Sequence, residues 1–294
     1  MAISSAQNHF RSISLPSRLH PNAIKLEAEL EKLYTGEISK KAHSITTEGI
    51  RYGLLGLAEL YNCVEELMQC QRTQQLLVQY VQDGKIVEES LENSVELLDS
   101  CGTIRELVGM IKEQVQDLQS TLRRKGQDSS IQNDVNKYLS LRKKMNKSIA
   151  KILKKLKHLE RTNGATLKDN HNLSMAIWML REATNYTITI FRSLLVFLSS
   201  PAASKGGWSF VSKLKSVASY RNDDILSEVG SVNFALYSLV AALRNRNSKA
   251  VDVQMAIKKL QNLDAGIEGF EAELERLFRQ LLQSRVTLLN IINY

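Results

Sequence analysis

The sequence predicts an all-α protein, an elongated multi-helix bundle with a long, coiled-coil-like C-terminal helix. Three observations carry that expectation. Prolines stand only at Pro16, Pro21 and Pro201, so over long stretches nothing removes a backbone donor or clashes with a preceding turn. Leu, Glu, Lys, Gln and Arg fill those stretches, and β-branched or aromatic runs are scarce. Finally, Leu260, Leu263, Ile267, Phe270, Leu274, Leu277, Leu281, Ser284, Leu288 and Ile291 recur in steps of three and four. Nine of these ten are apolar, the period of a helix that offers one seam to its neighbours.

Local signals divide the rest. Residues 1–21 are polar, Ser-rich and hold two of the prolines, which reads as a flexible arm ahead of a helical domain over 22–294. Asn22 caps a helix to about Tyr34, and a second helix runs from Ile45 to Met68, with Gly49, Gly53 and Gly56 near one face. Thr73 is expected to cap a short helix ending near Gly84. The next helix stops at Cys101-Gly102, and Thr103 with Glu106 has capping-box spacing to restart it up to Gly126. Ser129 with Gln132 opens a basic helix that Asn163-Gly164 closes. A helix from about Asn170 to Ser199 follows, then a loop at Pro201 and Lys205-Gly206-Gly207, and a short amphipathic segment over Trp208–Val217. Helices from Asp223 to Arg244 and from Ala250 to Ile292 complete the chain. Sub-bundles over 22–161 and 170–294 are an alternative to a single bundle.

Composition narrows the function classes. The longest apolar stretch, Ile188–Leu198, is interrupted by Arg192 and is too short to span a bilayer. No secretory signal is expected, and Ala2 stands where myristoylation needs glycine. Cys63, Cys70 and Cys101 are odd in number and lack CxxC spacing, which argues against a disulfide framework or a zinc site and for a reducing, intracellular setting. His9, His20, His43, His158 and His171 are scattered without metal-ligand spacing. There is no GxSxG, Walker loop or dinucleotide turn, so neither catalytic residues, metal ligands nor a cofactor are expected. The pairs Glu65-Glu66 and Glu88-Glu89 read as solvent charges, and Trp178 and Trp208 as core anchors.

Charge is concentrated in one segment. Arg123 to Arg161 carries thirteen Lys and Arg against three acids, +10 where the whole chain is +8. Ile131, Val135, Tyr138, Met145, Ile149, Ile152 and Leu156 form an apolar stripe. Lys137, Lys143, Lys144, Lys147, Lys151, Lys154 and Lys155 gather on the opposite face. A bundle helix needs a polar back, but mixed signs solvate as well and repel less. An anionic membrane, an acidic protein or nucleic acid would each supply counter-charge. Nucleic acid ranks last, since no aromatics interleave with the lysines for base stacking. In the arm, Arg11, Ser12, Ser14 and Pro16 complete an RSxSxP motif that 14-3-3 proteins read once Ser14 is phosphorylated. The Ser-rich, acid-free residues 1–26 keep a chloroplast transit segment as an alternative to a cytoplasmic or peripheral-membrane location.

Several strings together resemble a plant-restricted family. They are RSISLPSR at Arg11–Arg18, LAELYNCVEEL at Leu57–Leu67 and LLDSCGTIR at Leu97–Arg105, with WSFVSKL at Trp208–Leu214 and LFRQLLQSRVTLLNII at Leu277–Ile292. The pattern is similar to the BYPASS-like proteins over roughly residues 11–293. Members carry a proline in the stretch that reads Gln69-Cys70-Gln71-Arg72 here, and its absence removes a sequence signal for a helix break. The resemblance implies an all-helical, non-enzymatic protein associated with root and shoot development, with no active site to transfer, and the reading that follows is an adaptor or regulator. Oligomeric state is left open.

Overall fold

The computed structural model describes residues 46–81, 85–126, 128, 130–165, 175–199, 228–244 and 250–293, together with 28 and 31. Among the described residues seven helices follow in order: α1 Thr47–Met68, α2 Gln71–Val81, α3 Lys85–Lys125, α4 Ile131–Ala165, α5 Met175–Leu198, α6 Glu228–Arg244 and α7 Ala250–Ile292. Among the described residues there is no strand. The arm at 1–21, most of 22–34, Ser129 and the segment from Pro201 to Val217 lie outside the described residues.

The seam of α7 organises the bundle. All ten ladder positions, Ser284 included, are buried. At 1.5 Å per residue its 43 residues extend about 65 Å, long enough to line the whole assembly. Polar bridges fix the register on both sides. Arg105 pairs with Glu275, Lys112 with Glu271 and Gln116 with Asp264, so α3 runs antiparallel to α7. Glu59 meets Arg276, Asn62 meets Gln280 and Glu65 meets Thr287, so α1 runs parallel to it. Phe270 packs edge-on against Phe197 of α5, with ring centroids 5.7 Å apart. The neighbours that fill this seam therefore belong to the same chain, and residues from helices before 165 and after 175 share one hydrophobic core.

Close approaches use two glycines. A Cβ on Gly53 would stand 2.5 Å from Ile190 Cδ1, where α1 crosses α5. One on Gly266 would stand 2.6 Å from Thr47 Cγ2, where α7 passes the start of α1. Thr46 caps α1 by accepting from the Gly49 amide, and Glu228 of α6 accepts from both the amide and the hydroxyl of Thr47. A carboxylate there also complements the positive end of the helix dipole.

Three sequence expectations need correction. No break occurs at Cys101-Gly102, because α3 runs unbroken over 41 residues. Cys101 and Ile104 are core residues that the seam holds in register, and the Thr103 hydroxyl donates back to Asp99 O as helical threonines do. Thr73 lies inside α2 and does not cap it, since that helix begins at Gln71. Asn163 does not close α4, which continues to Ala165, because its amide is used by α5. The break after Met68 forms without a proline: the Gln69 amide donates to Glu65 O and Leu67 O, and α2 starts two residues later. Gly126 ends α3 as expected, with φ of 59°.

Gly102 tests the continuity of α3, since a Cβ there meets nothing within 4 Å. Gly102→Ala is expected to stabilise the protein by about 0.5–1 kcal/mol in urea unfolding, the helix-propensity gain. A true helix stop at this position would give a loss instead.

Candidate functional site

The basic helix α4 is sorted by its own period. Ile131, Val135, Tyr138, Met145, Ile149, Ile152 and Leu156 are all buried, facing the core. Lys137, Lys143, Lys144, Lys147, Lys151, Lys154 and Lys155 are all exposed. Among the described residues only Lys155 of the seven has an ion-pair partner, reaching Glu96 at 3.3 Å and Asp99 at 4.0 Å on α3. At the ends of the helix, Lys125 reaches Asp134 at 2.7 Å and Arg192 reaches Glu160 at 2.6 Å. These pairs use acids of α4 and leave the central lysines as a row of one sign. Such a row attracts anions over about a Debye length, roughly 8–10 Å at physiological salt. Its apolar stripe is consumed by the bundle, so the face offers charge without a hydrophobic wedge.

One cation of the segment does the opposite. Arg142 is 4% exposed and donates from Nη2 to the carbonyl of Leu198, at the last turn of α5. Burial shifts its proton affinity downward, partly offset by neighbouring Tyr138, whose own hydroxyl is pushed up by burial. A cation at a helix C-terminus is favoured by the dipole and by unpaired carbonyls. Arg142 therefore ties α4 to α5 and takes no part in the outward face.

Deeper in the bundle is a polar layer that residue types alone did not reveal. Asn163 donates to Arg181 O at 3.1 Å and to Asn185 Oδ1 at 2.6 Å, and accepts from Asn93 at 3.4 Å. Arg181 is buried and meets Glu89 at 3.5 Å. Glu65 accepts from Gln69 and from Gln283 and Thr287 of α7. The reading of Glu65 and Glu89 as simple solvent charges is thus corrected: each anchors a second helix. A usable sequence signal existed. Arg142 continues the stripe Tyr138, Met145, Ile149, and Arg181 continues Ile177, Thr184, Ile188, so both fall on buried phases despite their charge.

The cysteines lie apart from these features. Cys63 and Cys101 are buried, Cys70 is half-buried and donates to Glu66 O, and all three are free thiols. Burial pushes the Cys101 thiol up to about 12, with Arg105 opposing and Glu275 adding to the shift. Trp178 is partly buried against the core, and Trp208 is outside the described residues. Among the described residues, no group of three or more His, Cys, Asp or Glu could hold a metal ion, and no helix is long and apolar enough to cross a membrane. Arg11, Ser12, Ser14 and Pro16 lie outside the described residues.

Fold and surface together define the class: an all-α bundle whose outward chemistry is a lysine row on one helix. The chain belongs to the family described as Protein BPS1, whose model matches residues 53–291. That span begins within α1 and ends at the last turn of α7, so it covers the seam and everything packed on it. No curated protein and no solved structure matches the chain.

Thiol accessibility checks the burial pattern. In the native protein, maleimide followed by peptide mass spectrometry is expected to label Cys70 first. Cys63 and Cys101 should stay unlabelled until denaturant is added, whereupon all three react.

Proposed function

We propose that the chain is a non-enzymatic plant adaptor or regulator acting in root and shoot development, which captures an acidic partner surface through α4. Membership of the BPS1 family supports the developmental setting. The single observation that carries the docking role is the row of exposed lysines with one ion-paired member among the described residues. A bundle gains nothing from keeping like charges together on one face, since like charges a turn apart repel. An acidic surface offsets that repulsion. Phosphorylation of Ser14 in the RSISLP stretch, read by 14-3-3 proteins, would add control from the arm.

A second reading is an intracellular peripheral membrane protein, acting in trafficking, that adheres to anionic lipid through the same row. Each lysine near such a surface contributes about 1 kcal/mol, so the six without an ion pair among the described residues suffice for reversible adhesion. The buried apolar stripe of α4 favours the protein partner, because membrane helices of this type insert their apolar face and this one is committed to the core.

Changing Lys144, Lys147, Lys151 and Lys154 together to Glu separates these readings. The variant is expected to keep its far-UV helical signal, since every altered side chain is exposed. It should lose the partners that the wild-type chain retains from root extract, while neither protein sediments with phosphatidylserine vesicles at 150 mM salt. Sedimentation of the wild type alone would put the membrane reading first. Unchanged partner capture by the folded variant would reject the face as a docking element.

A further inference from the structure

Four helices each place a polar residue on an otherwise apolar stripe, and the four meet at one level of the bundle. Ser284 is the polar member of the α7 ladder. Asn93 continues the α3 stripe of Leu97, Cys101 and Ile104, Asn163 ends that of α4, and Arg181 sits between Ile177 and Ile188 on α5. Their exposures are 7%, 8%, 0% and 3%. With Arg285 they line a cavity where the centres of water-sized spheres have about 30 Å³ of room. One water needs roughly 10–15 Å³ on that measure, so the space suits a group of several heavy atoms.

The hydrogen bonds around the cavity are largely spent. Both Asn163 amide donations, the Asn93 amide and the Thr184 hydroxyl go to protein acceptors. Arg285 Nη1 gives to Leu91 O at 2.6 Å and to Ser94 Oγ at 2.8 Å. What is left is Arg181, whose Nη1 and Nη2 are buried and have no hydrogen-bond partner. Among the described residues its one ion pair is Glu89 at 3.5 Å. Two guanidinium groups, those of Arg181 and Arg285, therefore line the cavity, and Glu89 stands beside the first. A buried donor without an acceptor costs about 1–3 kcal/mol, more when charged, so the arrangement is unfavourable as a purely structural layer.

We propose that this layer is a binding site for a small monocarboxylate. The carboxylate takes the paired donors of Arg181, whose planar fork matches two oxygens. The short aliphatic part of the ligand rests on Leu97, Leu180, Leu281 and Leu288 of the cavity wall. This assignment does not depend on the cationic face of α4. It also accounts for the polar break in the α7 ladder: a leucine at 284 would fill the cavity that the serine leaves open.

Thermal unfolding of the full-length protein in sodium acetate, at ionic strength held constant with sodium chloride, tests the site; inorganic phosphate is the second probe. Acetate is expected to raise Tm along a saturable curve, as a ligand of the native state does. Ser284→Leu, which completes the apolar ladder, should fold and weaken acetate binding at least tenfold. Arg181→Gln should do the same, and the leucine variant carries the test if the glutamine one does not fold. A response to phosphate but not acetate would overturn the carboxylate assignment. No saturable response to either probe, or an equal one in Ser284→Leu, would reduce the layer to a device for helix register.

Discussion

The apolar ladder of α7 meets α1 running parallel and α3 running antiparallel, and this double contact sets the geometry of everything else. Nine aliphatic or aromatic side chains and Ser284 are withdrawn from water along it. Burying each large apolar side chain contributes about 1.5–3 kcal/mol, so the ladder is a major source of stability in the bundle. Once α1 and α3 are held on it, α5 can close over both. Gly53 admits Ile190 at that crossing, and Phe197 reaches Phe270. The remaining helices follow: α4 lies along α3 and α5, and α6 returns its Glu228 to the N-terminus of α1. Bridges at the edges of the ladder, such as Arg105 to Glu275 with Phe278 below the guanidinium at 4.9 Å, choose register more than they add stability.

Cations are divided between two jobs by helical phase. Arg142 and Arg181 fall on buried phases: Arg142 ties α4 to the Leu198 carbonyl at the end of α5, and Arg181 of α5 pairs with Glu89 of α3. The lysines of α4 fall on exposed phases and act only outward. Arginine suits the first job because its planar, delocalised charge spreads several donors and is more weakly hydrated. Lysine suits the second because a compact ammonium on a long stem stays in water. The same segment thus gives the bundle a structural tie and a separate electrostatic surface.

How far the sequence could be read depended on whether a signal was long or local. The bounds of α7, Ala250 to Ile292, were legible because ten consecutive ladder positions outweigh any single residue. The stripe of α4 and its lysine face were legible for the same reason. Breaks inferred from one or two residues fared worse. Cys101-Gly102 and Thr103 look like a stop and a cap in isolation, yet the neighbouring core positions bind to α7 and carry the helix through. Asn163 looks like a terminator, yet its amide is taken by the next helix, a partner that the local stop signal does not show. The buried phase of a member such as Arg181 was legible, but the meeting of the layer was not, because its members lie on four different helices. Only the fold makes Ser284, Asn93, Asn163 and Arg181 neighbours.

If the α7 ladder holds the bundle together, loosening it must loosen α1 and α3 as well. Native-state hydrogen exchange on Leu274→Ala measures this directly, because Leu274 is fully buried at the middle of the ladder. The account predicts that the slowest amides of α1, α3 and α7 lose protection together, by the same amount of about 2–5 kcal/mol. A loss confined to α7, with α1 and α3 as protected as in the wild type, would contradict it.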